Sequence, residues 1–353
     1  MPFSRYMQMA LYEPGLGYYV NGLHKFGAAG DFVTAPEEGP LFGQALAALL
    51  DSMAGSLAPD WTLLELGPGS GALTRTLLTS LDRPPAKMLL LEPSAALRDV
   101  QRETLVDLAP DLRTRVEWID TPPAAFEGAI VGNEVIDALP VERFRVADDG
   151  PRRIGVGVED GRLIDAALAA DGRIVDALAA IDADLDAPLP PGYRSELCLD
   201  LGAWLETVTA PLRRGAVVLA DYGYPRREYY HPDRSGGTLV CQYRHRAHFD
   251  PFCWPGLTDL SSFVDFTAVA DGLVAAGLEP AGFTTQAGFL LGSDTLARLQ
   301  AIDDPAERVR RTGEFKRLAL PGEMGEKFKL IAATRDCALP EAPFLLADQR
   351  DRL

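Results

Sequence analysis

The chain has 353 residues, 47% of them hydrophobic and 24% charged. That is enough apolar material for a sizeable core and, by length, for about two domains. Its formal net charge of -17 argues against a nucleic-acid substrate, which calls for a basic face to neutralise phosphates, and favours a small molecule or a protein partner that presents positive charge. The four cysteines, Cys198, Cys241, Cys253 and Cys337, are scattered, as in a reducing compartment and unlike a disulfide framework. No basic leader precedes an apolar segment, and no run approaches the ~18 apolar residues of a membrane span. A cytoplasmic protein without a span is the expectation.

In chain order, Tyr6 to Tyr12 is a short apolar-periodic piece, followed by glycine- and aromatic-rich turns through Tyr18, Tyr19 and Gly30. Gly39 to Met53 has helical spacing at Leu41, Phe42, Ala45, Leu46, Leu49 and Leu50, so residues 1–60 are expected to form a helical cap. From Trp61 the pattern alternates. Strands are predicted at Thr62–Leu66, Lys87–Leu91, Arg115–Ile119, Ala129–Gly132 and Ala216–Ala220. Helices are predicted at Ala72–Leu81, from Ser94 to about Leu108, and at Asp265–Ala276. Pro280–Thr284 is a weak strand and Lys327–Thr334 a good one. Apolar strands separated by helices predict a doubly wound, mostly parallel seven-stranded α/β sheet, Rossmann-like, covered on both faces. The core is assigned to 61–140, 194–222 and 263–335.

Two insertions interrupt this core. Residues 141–193 open as an antiparallel meander with turns at Asp148-Asp149-Gly150 and Glu159-Asp160-Gly161. Residues 223–262 are rich in Tyr, His, Arg, Pro and Gly, and are too long for a structureless connector. Together they are expected to form an α+β accessory subdomain on the substrate side.

Ligands of such sheets sit beyond the carboxyl ends of the strands, and Glu65, Glu92, Asp120, Asn133-Glu134 and Asp221 all fall there. The turn Glu65-Leu66-Gly67-Pro68-Gly69-Ser70-Gly71 lets backbone pass close to a ligand and offers amides at a helix N-terminus. Gly67, Gly69 and Ala72 also satisfy a dinucleotide fingerprint, so a nicotinamide oxidoreductase stands as an alternative. The acid at Glu65 and the glycine at Gly71 favour S-adenosyl-L-methionine. Glu92, roughly twenty positions past the glycines, suits two ribose hydroxyls in either class, and Asp120 suits the adenine amino group.

Asn133-Glu134-Val135-Ile136-Asp137-Ala138-Leu139-Pro140 follows the fourth strand. A sulfonium methyl is already activated, so the enzyme mainly aligns an acceptor for in-line displacement. Carboxylates at Glu134 and Asp137, beside Asn133, suit a guanidinium acceptor, whose charge they pair and whose proton they help remove. Cys241, His245, His248 and Cys253 share one stretch, but their spacing departs from recurring zinc sets. That stretch reads as a substrate-side loop, and no metal is expected.

Several segments together resemble one family. They are Ala10-Leu11-Tyr12-Glu13-Pro14 with Gly17-Tyr18-Tyr19, Gly30-Asp31-Phe32-Val33-Thr34-Ala35-Pro36-Glu37, the Glu65 to Gly71 turn, Asn133 to Pro140, Asp221-Tyr222-Gly223-Tyr224, Tyr243-Arg244-His245-Arg246, Val264-Asp265-Phe266-Thr267 and Pro321-Gly322-Glu323-Met324-Gly325. Their order and spacing, from Tyr6 to Thr334, resemble the MidA family, which includes the mitochondrial complex I assembly factor 7 proteins. The resemblance implies a class I methyltransferase in which Gly67, Gly69, Gly71 and Glu92 match the cofactor site. Gly30, Asp31 and Thr34 match a segment that closes over cofactor. Asn133, Glu134 and Asp137 face the acceptor, with Asp221, Tyr222, His245 and Asp265 on the substrate side. It also implies a protein substrate with an arginine acceptor, a subunit of NADH:ubiquinone oxidoreductase in the mitochondrial members, and it admits a homodimer. An assembly or chaperone role without turnover is the rival within the family. One departure stands out: Glu38-Gly39 where the family commonly reads Ile-Ser.

Overall fold

The computed structural model describes residues 1–22 and 33–353. The strands in chain order are β1 (Thr62–Leu66), β2 (Lys87–Leu91), β3 (Val116–Ile119), β4 (Phe126–Asn133), β5 (Glu142–Ala147), β6 (Gly150–Glu159), β7 (Arg162–Ala169) and β8 (Arg194–Leu197). They continue with β9 (Leu212–Tyr224), β10 (Val240–Tyr243), β11 (Arg246–His248), β12 (Asp259–Ser261), β13 (Val264–Asp265), β14 (Glu279–Thr285) and β15 (Phe328–Arg335).

The central sheet has the order β14-β15-β9-β4-β1-β2-β3, with β13 beside the end of β9. Strands β1 to β4 and β9 run parallel, while β15 is antiparallel to both its neighbours. The expected doubly wound sheet is present, with one reversed strand.

Alternation explains why the strands read as unbroken apolar runs. Leu63, Met88, Leu90, Ala129, Val131, Val218 and Leu330 face one apolar cluster, with the helices Leu41–Ala54 and Ala72–Ser80. Leu64, Leu89, Ile130, Val217, Leu219 and Ile331 face the other, with Leu201–Thr209 and Phe266–Ala275. Both faces are covered, so the middles of these strands are apolar on both sides. The helix placed in the cap from sequence, Leu41–Ala54, therefore belongs to the central layers. It starts after Pro40, two residues later than its periodicity suggests.

The insertions build two further sheets. One has the antiparallel order β7-β6-β5-β8, the other β11-β10-β12. Strand β8 lies within a stretch assigned to the core, but it pairs with β5 and completes the smaller sheet. The alanine-rich tail of this insertion ends in a helix, Gly172–Asp184, capped by the Asp171 carboxylate accepting from the Ile174 amide. The N-terminal helix Phe3–Tyr12 joins both insertions. Phe3, Tyr6, Met7 and Leu11 share a cluster with Ala138, Val141, Val156, Cys241 and Leu260.

Two substrate-side expectations are corrected by this architecture. His245 stands exposed between β10 and β11, where Arg244 and His245 both have positive φ (48° and 58°). That is the backbone of a tight hairpin turn, not a loop reaching toward ligand. Asp265 caps the Phe266–Ala275 helix, accepting from the Thr267 amide at 3.0 Å and the Ala268 amide at 3.2 Å. It also pairs with Arg226 at 3.1 Å, and Arg226 reaches Asp184 and Asp271 as well. Burial and capping explain an acid at this position without a substrate. Asp265→Ala is therefore expected to cost about 1–3 kcal/mol, from the lost cap and a stranded arginine. A lower thermal midpoint with unchanged cofactor affinity in calorimetry is the expected result.

Candidate active site

A cavity of about 760 Å³ opens at the carboxyl ends of the parallel strands. Its lining includes Thr34, Glu65, Gly67, Gly69, Glu92, Asp120, Asn133, Glu134, Asp137 and Tyr222, ten of the residues singled out from sequence. Gly71 and Asp221 lie behind the wall, His245 and Asp265 lie elsewhere, and Gly30 and Asp31 fall outside the described residues.

The turn after β1 requires glycine for geometric reasons. Gly67, Gly69 and Gly71 have φ of 57°, 56° and 86°, a left-handed backbone that side chains oppose. A Cβ on Gly67 would come within 2.8 Å of Val135. At Gly71 a Cβ would meet Gln101 only at ordinary contact distance, 3.4 Å, so it is the φ of 86° that calls for glycine there. Gln101 is fully buried; its amide donates to the Gly69 carbonyl at 2.9 Å and to Glu92 Oε2 at 3.3 Å, and Trp118 Nε1 donates to Gln101 Oε1 at 2.8 Å. One residue thus fixes the turn against the acid of the next strand.

Glu92 also accepts from the Ser94 amide at 2.8 Å, and Glu65 from the Thr74 hydroxyl at 2.5 Å. Asp120 is exposed and engaged with Arg98. Glu37 accepts from the Ser70 hydroxyl, so the segment after the undescribed stretch is tied to the glycine turn.

The other end is built on the octapeptide after β4. Glu134 has φ 53°, strained for a non-glycine residue. It is held there by its amide, which donates to the Ala220 carbonyl at 2.8 Å. Its carboxylate accepts from Asn133 Nδ2 at 3.0 Å, and the Ala35 backbone opposes the rise of its carboxyl. Asp221 Oδ2 accepts from the Ile136 and Asp137 amides at 2.9 and 3.2 Å, and its Oδ1 from the Tyr222 amide at 2.9 Å. Asp221 therefore positions the loop and does not face the cavity. The Tyr222 hydroxyl donates to Asp137 Oδ2 at 2.7 Å, while Asp137 Oδ1 and Asn133 Oδ1 are buried acceptors with no donor among the described residues. Such orphans are rare in folded chains and mark a site that expects a donor.

Burial lifts Glu65, Glu92, Glu134, Asp137 and Asp221. Desolvation raises Glu65 to about 7. Desolvation and the neighbouring Asp137 raise Glu134 to about 8. Asp137 rises to about 6 against the opposing Tyr222 hydrogen bond. Glu92 rises, and Asp221 rises well above the carboxylate range, both through burial.

Sequence reasoning missed Tyr12, Tyr19, Gln242, Asp259 and Ser261, all of which line the cavity. The Tyr12 hydroxyl donates to the Ala138 carbonyl and the Tyr19 hydroxyl to Asp259 Oδ1, each at 3.0 Å. The two rings stack at 5.6 Å. A signal was available in the alternation Asp259-Leu260-Ser261 and Val240-Cys241-Gln242, which sends Leu260 and Cys241 into a core and their neighbours out of it. Among the described residues, no three His, Cys, Asp or Glu side chains gather into a metal-binding group.

A glycine turn bearing amides beside two buried carboxylates is a nucleoside cradle, and the site fits S-adenosylmethionine. Gly67 and Gly69 would approach its amino-acid portion, and Glu92 the ribose. The protein is a class I S-adenosylmethionine-dependent methyltransferase. Residues 41–284 match a family model described as "Putative S-adenosyl-L-methionine-dependent methyltransferase", and the chain belongs to that family.

A Burkholderia thailandensis protein crystallised with S-adenosyl-homocysteine is 40% identical, with a TM-score of 0.90, covering 100% of this chain and 92% of that one. Among curated relatives, the mouse "Protein arginine methyltransferase NDUFAF7, mitochondrial" is 28% identical over 93% of this chain and 80% of its own. The Drosophila melanogaster homologue is 29% identical, over 94% and 81%. S-adenosylmethionine is the cofactor, and the nicotinamide alternative is set aside.

Two measurements follow from this geometry. Glu92→Ala should weaken S-adenosylhomocysteine in calorimetry roughly tenfold to a hundredfold, the ~1.5–3 kcal/mol of hydrogen bonds to a charged group. Because its raised carboxyls keep their protons to higher pH than in the unfolded chain, the folded state binds more protons. The stability this confers is full below the unfolded carboxylate range and is lost as pH rises through the folded values near 6 to 8. The thermal midpoint of the cofactor-free protein should fall between about pH 5.5 and about pH 8.5; a rising profile would contradict the assigned burial.

Proposed function

We propose that the chain methylates the guanidinium of an arginine in a protein. The observation that carries this is the concentration of acids at the acceptor end of the cavity: Glu134 and Asp137 on one loop, with a buried Asp137 oxygen lacking a donor. An acceptor cation with several N–H groups satisfies such a wall, and a neutral acceptor leaves it costly. The relatives named as protein arginine methyltransferases support the same reading, as does the acidic balance of the whole chain, which suits a basic protein partner. A subunit of NADH:ubiquinone oxidoreductase is the first partner to test.

Bound cofactor supplies a methyl group on a sulfonium, already activated for displacement. The protein's share is alignment, charge pairing and proton removal. Asp137, steadied by Tyr222, pairs with one edge of the guanidinium. Glu134 takes the opposite role: as a guanidinium nitrogen bonds to the methyl carbon and the sulfur–carbon bond breaks, the proton of that nitrogen passes to the Glu134 carboxylate. The nucleoside thioether then leaves. A carboxyl raised to about 8 in the free protein is a better proton acceptor than an ordinary glutamate. The cation's arrival favours its ionised form. An assembly role without turnover needs neither the glycine cradle nor this wall, and nothing in the site favours it.

Glu134→Gln should retain S-adenosylhomocysteine affinity while kcat falls about 10²–10⁴-fold, the usual span of general-base catalysis. In the parent, kcat/KM should rise with pH toward about 8, as Glu134 ionises, and that limb should vanish in the variant. Transfer by Glu134→Gln at the parent rate would overturn its role. Mass spectrometry of arginine methylation in cells with and without the protein tests the acceptor class.

A further inference from the structure

The three-stranded sheet contributed by the second insertion places three polar side chains, Gln242, Asp259 and Ser261, on the cavity, and its register shows why. Asp259 pairs with Gln242 and Ser261 with Val240 across β12 and β10. All four line the cavity. The intervening Leu260 and Cys241, themselves a pair, are fully covered in the cluster beneath the N-terminal helix. Side chains of a strand alternate between faces, so Asp259 and Ser261 share the cavity face, about 6.6 Å apart at ~3.3 Å per residue.

The position of that face relative to the acceptor loop is fixed by a backbone bond. The Ser262 amide donates to the Asp137 carbonyl at 3.0 Å. Ser261 lines the cavity together with Tyr222, whose hydroxyl holds Asp137 Oδ2. Two residues back along the strand, Asp259 is 4% exposed and accepts from the Tyr19 hydroxyl at 3.0 Å. The stacked Tyr12–Tyr19 pair spans from Asp259 to the Ala138 carbonyl, next to Asp137. A third carboxylate thus lines the same cavity as Glu134 and Asp137, on a different element, beside the stacked rings.

We propose that Asp259 is the residue that selects a guanidinium over other nucleophiles, pairing with the edge of the acceptor that Glu134 and Asp137 do not reach. This deepens the arginine reading and rests on it. A planar guanidinium has N–H donors on several edges and matches carboxylates from more than one direction, whereas a lysine ammonium is a compact point charge. Two acids set on separate elements therefore favour the fork over the point. The insertion, not the methyltransferase core, supplies the discrimination.

Asparagine at 259 still accepts from Tyr19, so Asp259→Asn removes the charge and keeps that hydrogen bond. The full chain is assayed with saturating S-adenosylmethionine on short peptides with a central arginine, and on the same peptides with lysine. The parent is expected to modify the arginine set only. Asp259→Asn should raise KM for it at least tenfold, with kcat within about threefold and S-adenosylhomocysteine affinity unchanged. Asp259→Glu, which restores the charge, should recover most of the loss, and it keeps the test decisive if the asparagine variant melts early. A parent-like KM in Asp259→Asn overturns the assignment while leaving the arginine reading intact. A parent that modifies neither set, or modifies lysine equally, overturns the arginine reading itself.

Discussion

Burying a carboxylate is costly unless a donor or cation meets it, and this chain buries many at one place. Glu65, Glu92, Asp137, Asp221 and Asp259 are each at most 6% exposed, and Glu134 stands among them with its carboxyl pushed to about 8. The rest of the molecule is arranged around meeting that cost. Backbone amides satisfy Asp221 completely, Thr74 and Ser94 serve Glu65 and Glu92, and Tyr222 serves Asp137. Where the internal donors run out, at Asp137 Oδ1 and Asn133 Oδ1, the cavity opens. The order in which acids are satisfied thus separates those that hold the loop from those left for a ligand.

The acceptor wall is assembled from segments far apart in sequence, so its geometry rests on long-range contacts. The N-terminal amino group donates to the Val156 carbonyl at 2.6 Å and the Ser4 hydroxyl to Glu142 at 2.5 Å. The Tyr6 hydroxyl donates to the Pro251 carbonyl at 2.6 Å. These bonds tie the first helix to both insertions, and the helix in turn sets the Tyr12–Tyr19 stack against the cavity. Tyr12 and Tyr19 act as a hinge pin between core and insertions more than as a cap.

The glycine-turn end of this cavity was legible in the sequence because it is local. A glycine turn, the acid after the next strand and the octapeptide after β4 each lie within one short stretch whose chemistry can be read directly. The substrate half was not. Asp259 and Gln242 become neighbours only through the β10–β12 register, and no linear spacing encodes that pairing. His245 and Asp265 failed for the opposite reason: residue types that suit a site also suit a hairpin turn and a helix cap, and burial decides between the two. The Glu38-Gly39 departure is likewise explained by tertiary contact. Glu38 pairs with Arg317, and a Cβ on Gly39, at φ 152°, would fall within 2.6 Å of the Glu314 carboxylate. That carboxylate accepts from the Leu41 amide at 2.6 Å.

The short helix Ala35–Glu38 touches both halves of the cavity at once. Its first residue, Ala35, acts through its backbone on the Glu134 carboxyl, and its Glu37 accepts from Ser70 of the glycine turn. Moving this helix aside would disturb the glycine turn and the Glu134 end of the cavity together. Four residues thus tie the two ends of one cavity to a single element.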